Sequence, residues 1–115
     1  MKQGREKNDF GALLADGQLP SSKGTLYTVL EGFRLLIEFF RVYNDNSVAE
    51  DVRIYVKPGA TSRTIDRHMS LAASTAADVI SNGQILTLMP GDLIEGQTTT
   101  AAKVDYVISG RLEPV

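Results

Sequence analysis

The sequence predicts a mainly β protein: an antiparallel β-sandwich, jelly-roll-like or immunoglobulin-like, with an extended N-terminal arm. Three observations predict it. Short runs rich in β-branched and aromatic residues recur along the chain, several of them alternate apolar with polar side chains, and turn signals separate them every ~8–12 residues. With 115 residues there is room for one domain and one core, burying roughly 65% of the unfolded-chain surface. A hydrophobic content of 43% and a charged content of 23% match ordinary globular proteins and argue against wholesale disorder.

Residues 1–24 read as an N-terminal arm and linker, and residues 25–115 as the sandwich domain. Met1 to Asp9 is polar and of mixed charge, so it is either a frayed terminus or an arm lying on a neighbouring subunit. Phe10, Leu13, Leu14 and Leu19 form a short apolar patch broken by Gly11 and by the turn pair Asp16-Gly17. That pattern predicts a loose hairpin or an extended arm. Pro20 to Gly24 has the composition of a linker.

Thr25 to Leu30 alternates Leu26, Thr28 and Leu30 against Thr25, Tyr27 and Val29, which predicts a strand ended by Glu31-Gly32. Phe33 to Asn44 holds three of the four phenylalanines and the longest apolar run, so it belongs at the centre of the core. As a helix it would align Phe33, Leu36, Ile37 and Phe40 on one face. As a strand it would place Leu35, Ile37, Phe39 and Tyr43 on one side and Leu36, Phe40 and Val42 on the other. Local pattern favours the helix, and the β character of the surrounding segments favours a central strand.

Asn44 to Ser47 is a turn cluster. Val52 to Lys57 follows as the cleanest strand, with Val52, Ile54 and Val56 inward and Arg53, Tyr55 and Lys57 outward, closed by Pro58-Gly59. Arg63 to Leu71 keeps alternation through Ile65, Met69 and Leu71, with Arg67 the one charge in that phase. Ala76 to Ile80 fits a strand or a short helix, and Asn82-Gly83 marks a turn. Ile85 to Leu88, Leu93 to Thr100 and Lys103 to Leu112 complete the strands, with Gly96 suggesting a bulge.

The order Thr25-Leu26-Tyr27-Thr28-Val29, Arg41-Val42-Tyr43-Asn44, Val52-x-Ile54-Tyr55-Val56-x-Pro58-Gly59, Ser70-Leu71-Ala72-Ala73, Met89-Pro90-Gly91-Asp92-Leu93 and Val104-x-Tyr106-Val107-Ile108-Ser109-Gly110 resembles that of the small β-sandwich virion proteins of tailed bacteriophages. The resemblance spans about Thr25 to Leu112 and rests on short structural motifs. Leu30-Glu31-Gly32 departs from it, standing where a Pro-x-Gly turn is usual. It implies a capsid-decoration, head-tail connector or tail-associated subunit, made in the host cytoplasm and located in the virion. The alternative reading is a host-glycan or receptor-binding module on a phage tail.

The residues carry no pattern that points to an enzyme, a metal or a cofactor. His68 is the only histidine, and Asp66, His68 and Ser70 along one strand cannot form a relay of hydroxyl, imidazole and carboxylate. With no cysteine there is neither a thiolate metal site nor a disulfide. Asn44-Asp45-Asn46 lacks the glycine and late glutamate of a calcium loop. Arg53, Lys57, Arg63 and Arg67 form a modest basic set, read as a solvated edge that discourages strand pairing or as a contact for an acidic protein surface. A net charge of −2 offers no general attraction for nucleic acid, and no apolar run approaches the ~20 residues of a membrane span.

Protein contact is therefore the expected work. A strand apolar on both faces needs a cover on each, and burying Leu35, Ile37, Phe39 and Tyr43 would contribute about 6–12 kcal/mol. That rivals the ~5–15 kcal/mol stability of a whole domain. The expected interface comprises Phe10, Leu13, Leu14, Leu35, Ile37, Phe39, Tyr43 and Tyr55, toward copies of the same chain and other capsid or tail proteins.

Overall fold

Alternation of apolar and polar side chains turns into strands along the whole of the computed structural model, which describes residues 12–57, 65–80 and 86–115. The described residues form β1 (Ala12–Gln18), β2 (Gly24–Thr28), β3 (Phe33–Asn44), β4 (Glu50–Lys57), β5 (Ile65–Leu71), β6 (Ala76–Asp78), β7 (Leu86–Leu88), β8 (Leu93–Thr98) and β9 (Val104–Pro114), with no helix. Phe33–Asn44 is thus a strand, and Ala76 to Ile80 resolves into the three-residue strand β6.

Two antiparallel sheets pack face to face. The first runs β1-β9-β3-β6, with β7 also on β3, and the second runs β2-β8-β4-β5. The pairings β1 with β9, β2 with β8, β3 with β6 and β7, and β4 with β5 nest inside one another. One long antiparallel ribbon rolled over itself has this nesting, so the sandwich is a jelly roll rather than immunoglobulin-like. Between the sheets, Val52, Ile54 and Ile94 meet Leu35, Ile37, Phe40, Val42, Val104 and Ile108, all at most 3% exposed.

The phase of β3 differs from the simple alternation. Its register on β9 slips between Ile37 and Phe39, so Glu38 is an extra residue, and the inward set becomes Leu35, Ile37, Phe40, Val42 and Asn44. Leu35 and Ile37, expected on an exposed interface, are 0% exposed inside the sandwich. The close approach at this bulge requires Gly110, opposite Ile37, since a Cβ there would run into the Leu36 carbonyl oxygen. A second slip, between Thr25 and Tyr27, brings Leu26 as well as Tyr27 against the core. The β8 residue Gly96 leaves room there for Leu19, Leu26 and Ile54.

The segment read as arm and linker divides. Ala12–Gln18 is laid along β9 as a full strand of the first sheet, and Leu19 is 0% exposed. Pro20 is tied in by the Thr98 N–H, which donates to its carbonyl at 2.9 Å. The domain thus includes residues that composition assigned to a linker. Met1 to Gly11, with Phe10, lies outside the described residues, as do the expected turns at Pro58-Gly59 and Asn82-Gly83 and the basic residue Arg63.

Candidate functional site

One end of the sandwich is fixed by two buried polar side chains in the inward phase. Asn44 closes β3 and is 0% exposed. Its amide donates to the carbonyls of Val48 and Leu71 at 2.9 Å and of Ala72 at 3.2 Å, and its oxygen accepts from the Asn46 N–H at 2.8 Å. Glu50 opens β4 and is 1% exposed. Its carboxylate accepts from Thr98 Oγ1, the Thr100 N–H and Asn46 Nδ2, each at 2.8 Å. Burial alone raises the Glu50 pKa, but the hydrogen bonds from Thr100, Asn46 and Thr98 outweigh it and bring the value from 4.5 to about 2. The pair joins the β3–β4 turn to the chain after β5 and after β8, and so sets the shape of that end. The sequence showed Asn44 as a turn residue; in the structure it also continues the inward phase of Phe40 and Val42.

The outer face of the first sheet carries cross-strand rows. Leu13, Ser109 and Phe39 share one row, Asp16, Val107, Arg41 and Asp78 the next, and Gln18, Asp105, Tyr43 and Ala76 a third. Leu13 is 54% exposed and Tyr43 37%, while Leu36, Phe39 and Val107 are half-buried. Ion pairs flank them: Arg34 with Glu113 at 2.9 Å, Arg41 with Asp78 at 2.7 Å, and Arg111 with Glu38 at 2.9 Å and with Glu113 at 3.9 Å. The Arg41 guanidinium also lies 5.2 Å from the Phe39 ring centre. The expected wholly apolar second face is therefore a mixed one, because the bulge moves Leu35 and Ile37 inward and leaves Arg34, Glu38 and Arg41 outside.

The outer face of the second sheet is polar. Tyr55 is 9% exposed; its hydroxyl donates to Gln97 Oε1 at 2.8 Å, and Lys23 Nζ sits 4.5 Å over its ring. Glu95 Oε1 is shielded from solvent without a hydrogen bond, and its charge is met by Lys23 Nζ at 3.8 Å. His68 stands opposite Arg53 on β4, with Nε2 3.8 Å from Asp51 Oδ1, beyond hydrogen-bond distance. Asp66 pairs in register with Tyr55, and Ser70 with Asp51.

Of the expected interface residues, the structure brings together Leu13, Phe39 and Tyr43 on one outer face. Leu14 is half-buried against the core, Leu35 and Ile37 lie within it, and Tyr55 occupies the opposite outer face. In the basic set, Arg53 and Lys57 point outward from β4, while Arg67 stands opposite Ile54 at the open edge of β5 and donates to the Val79 carbonyl at 3.3 Å. Among the described residues no group of three or more His, Cys, Asp or Glu could hold a metal ion, and no helix is long and apolar enough to cross a membrane.

Compared with protein-family models, curated proteins and solved structures, the chain matches none.

Proposed function

We propose that this chain is a structural subunit of a tailed-bacteriophage virion, a capsid-decoration, head-tail connector or tail-associated protein that works through protein-protein contacts. The observation that carries the reading is the outer face of the first sheet, where Leu13, Phe39 and Tyr43 sit beside Leu36 and Val107 within a frame of both charge signs. A flat β surface of this kind suits a second copy of the chain or another virion protein. Each apolar side chain contributes about 1.5–3 kcal/mol when fully buried, and these are already partly shielded, so a single contact is weak. Repetition over a symmetric lattice makes weak contacts sufficient. The order of sequence motifs supports the same reading. So does the nested topology, since jelly rolls build viral capsid domains, although a fold by itself assigns no function.

Light scattering of the full chain over a concentration series tests the contact, and mass spectrometry of purified virions tests the location. Association that grows with concentration is expected, together with many copies per virion. Leu13→Glu combined with Tyr43→Glu should weaken association at least tenfold and leave thermal stability nearly unchanged, because both side chains are exposed. A monomer at every concentration, with no chain in the virion, would overturn the reading.

A further inference from the structure

On the far side of the molecule from that contact face, the ends of β4 and β8 and the chain after Leu19 enclose a depression of about 330 Å³, lined by Ser21, Asp51, Arg53, Gln97, Thr98 and Thr99. Its volume is at the low end for small-molecule sites. Its lining is polar, and several of its groups are already oriented by neighbours.

Gln97 is the clearest case. Its side-chain oxygen accepts from the Tyr55 hydroxyl at 2.8 Å, which directs the amide hydrogens away from Tyr55 as donors. The Tyr55 ring is itself held under Lys23, so its hydroxyl, and with it Gln97, has a fixed position. The Thr99 hydroxyl accepts from the Asp51 N–H at 3.2 Å and keeps its own hydrogen to donate. Asp51 adds a carboxylate that is 64% exposed, with His68 Nε2 3.8 Å from one of its oxygens, and Ser21 also lines the depression.

Donors and acceptors thus share one small volume, and this decides the ligand class. An anion would face the Asp51 carboxylate. A divalent cation needs six or more oxygen ligands, and here it would face the Arg53 guanidinium. An apolar molecule would find almost no apolar wall. A hydroxyl group both donates and accepts, so neighbouring hydroxyls on a ring match such an array. We propose that this groove binds a hydroxyl-rich ligand, one sugar ring presenting adjacent hydroxyls, held by Asp51, Gln97, Thr99 and Ser21. Because Lys23 covers the Tyr55 ring, binding proceeds through ring hydroxyls without stacking, and affinity for a single sugar is in the millimolar range. This inference is independent of the assembly reading, whose residues lie on the other sheet.

The test is a titration of the ¹⁵N-labelled full chain with glucose, galactose, mannose and N-acetylglucosamine up to about 0.1 M, followed by amide chemical shifts. For at least one sugar, saturable shifts are expected at Ser21, Asp51, Gln97 and Thr99, including the Gln97 side-chain amide. Gln97→Ala and Ser21→Ala should each weaken binding about 3–10-fold while the remaining spectrum stays unchanged, the effect of losing one hydrogen bond. Asp51→Asn, which keeps the shape and removes the charge, separates ligand recognition from folding: it should weaken sugar binding in a fully folded protein. Absence of shifts at these residues with every sugar, or saturable shifts there with inorganic phosphate in place of sugar, would overturn the proposal.

Discussion

Glu50 is a carboxylate placed where the strand pattern calls for an apolar side chain, and its stability depends on neutral donors. Thr98, Thr100 and Asn46 supply them, and together they hold its pKa at about 2 against the ordinary 4.5. A lowered folded-state pKa means that the contribution is fully present above pH 4.5 and is lost as pH falls through about 2. Glu50→Gln should therefore cost about 1–3 kcal/mol at pH 7, since its amide cannot accept the bond from Asn46. In urea unfolding at a series of pH values, the gap between the natural chain and this variant should hold steady from pH 7 to 5 and narrow between 4.5 and 2. A gap that does not change with pH would show that shape, not charge, is what the site needs. Neither role was visible in the sequence, because Glu50 resembles the many surface carboxylates until its strand register is known.

The two faces of β4 were legible from alternation alone, since Val52, Ile54 and Val56 pair without slippage to both neighbours. β3 was legible as an element but not in phase. A single added residue at Glu38 reverses which of the preceding side chains face inward, and with apolar side chains in both phases on either side of it, alternation alone does not reveal the slip. The one signal lay on the partner strand, in Gly110. Gly110→Ala places a methyl against the Leu36 carbonyl, where backbone of two central strands must separate. A loss of about 1–3 kcal/mol is expected, read as a lower urea midpoint with an unchanged slope. The open edge of β5 carries Arg67 in the inward phase, a placement that makes edge-to-edge pairing unfavourable there. Of the residues expected at a contact, Leu13, Phe39 and Tyr43 share the outer face of the first sheet, and local pattern could not separate them from Leu35 and Ile37, for the same reason of phase. The groove on the second sheet was missed because Ser21 reads as linker and meets Gln97 and Asp51 only through long-range folding.

At the scale of the molecule, the choice between a jelly roll and an immunoglobulin-like sandwich was not accessible to local patterns, which describe strands but not their distant partners. Nesting of the pairs is the decisive property, and it has a consequence for how the chain comes into being. β9 lies between β1 and β3 in the first sheet, so among the described strands that layer is joined by the one furthest along the sequence from β1. Without it, β1 and β3 have no hydrogen-bonding ladder between them. Topologies closed by such distant segments also fold slowly, in milliseconds to seconds. Stopping translation before Val104 should consequently yield a product without cooperative unfolding, detectable as rapid cleavage by a protease and the loss of a sharp thermal transition by circular dichroism. A copy terminated before β9 also lacks Val107 and Ser109, which lie between the β1 and β3 rows of the first sheet's outer face, and so lacks the surface on which the proposed contact depends.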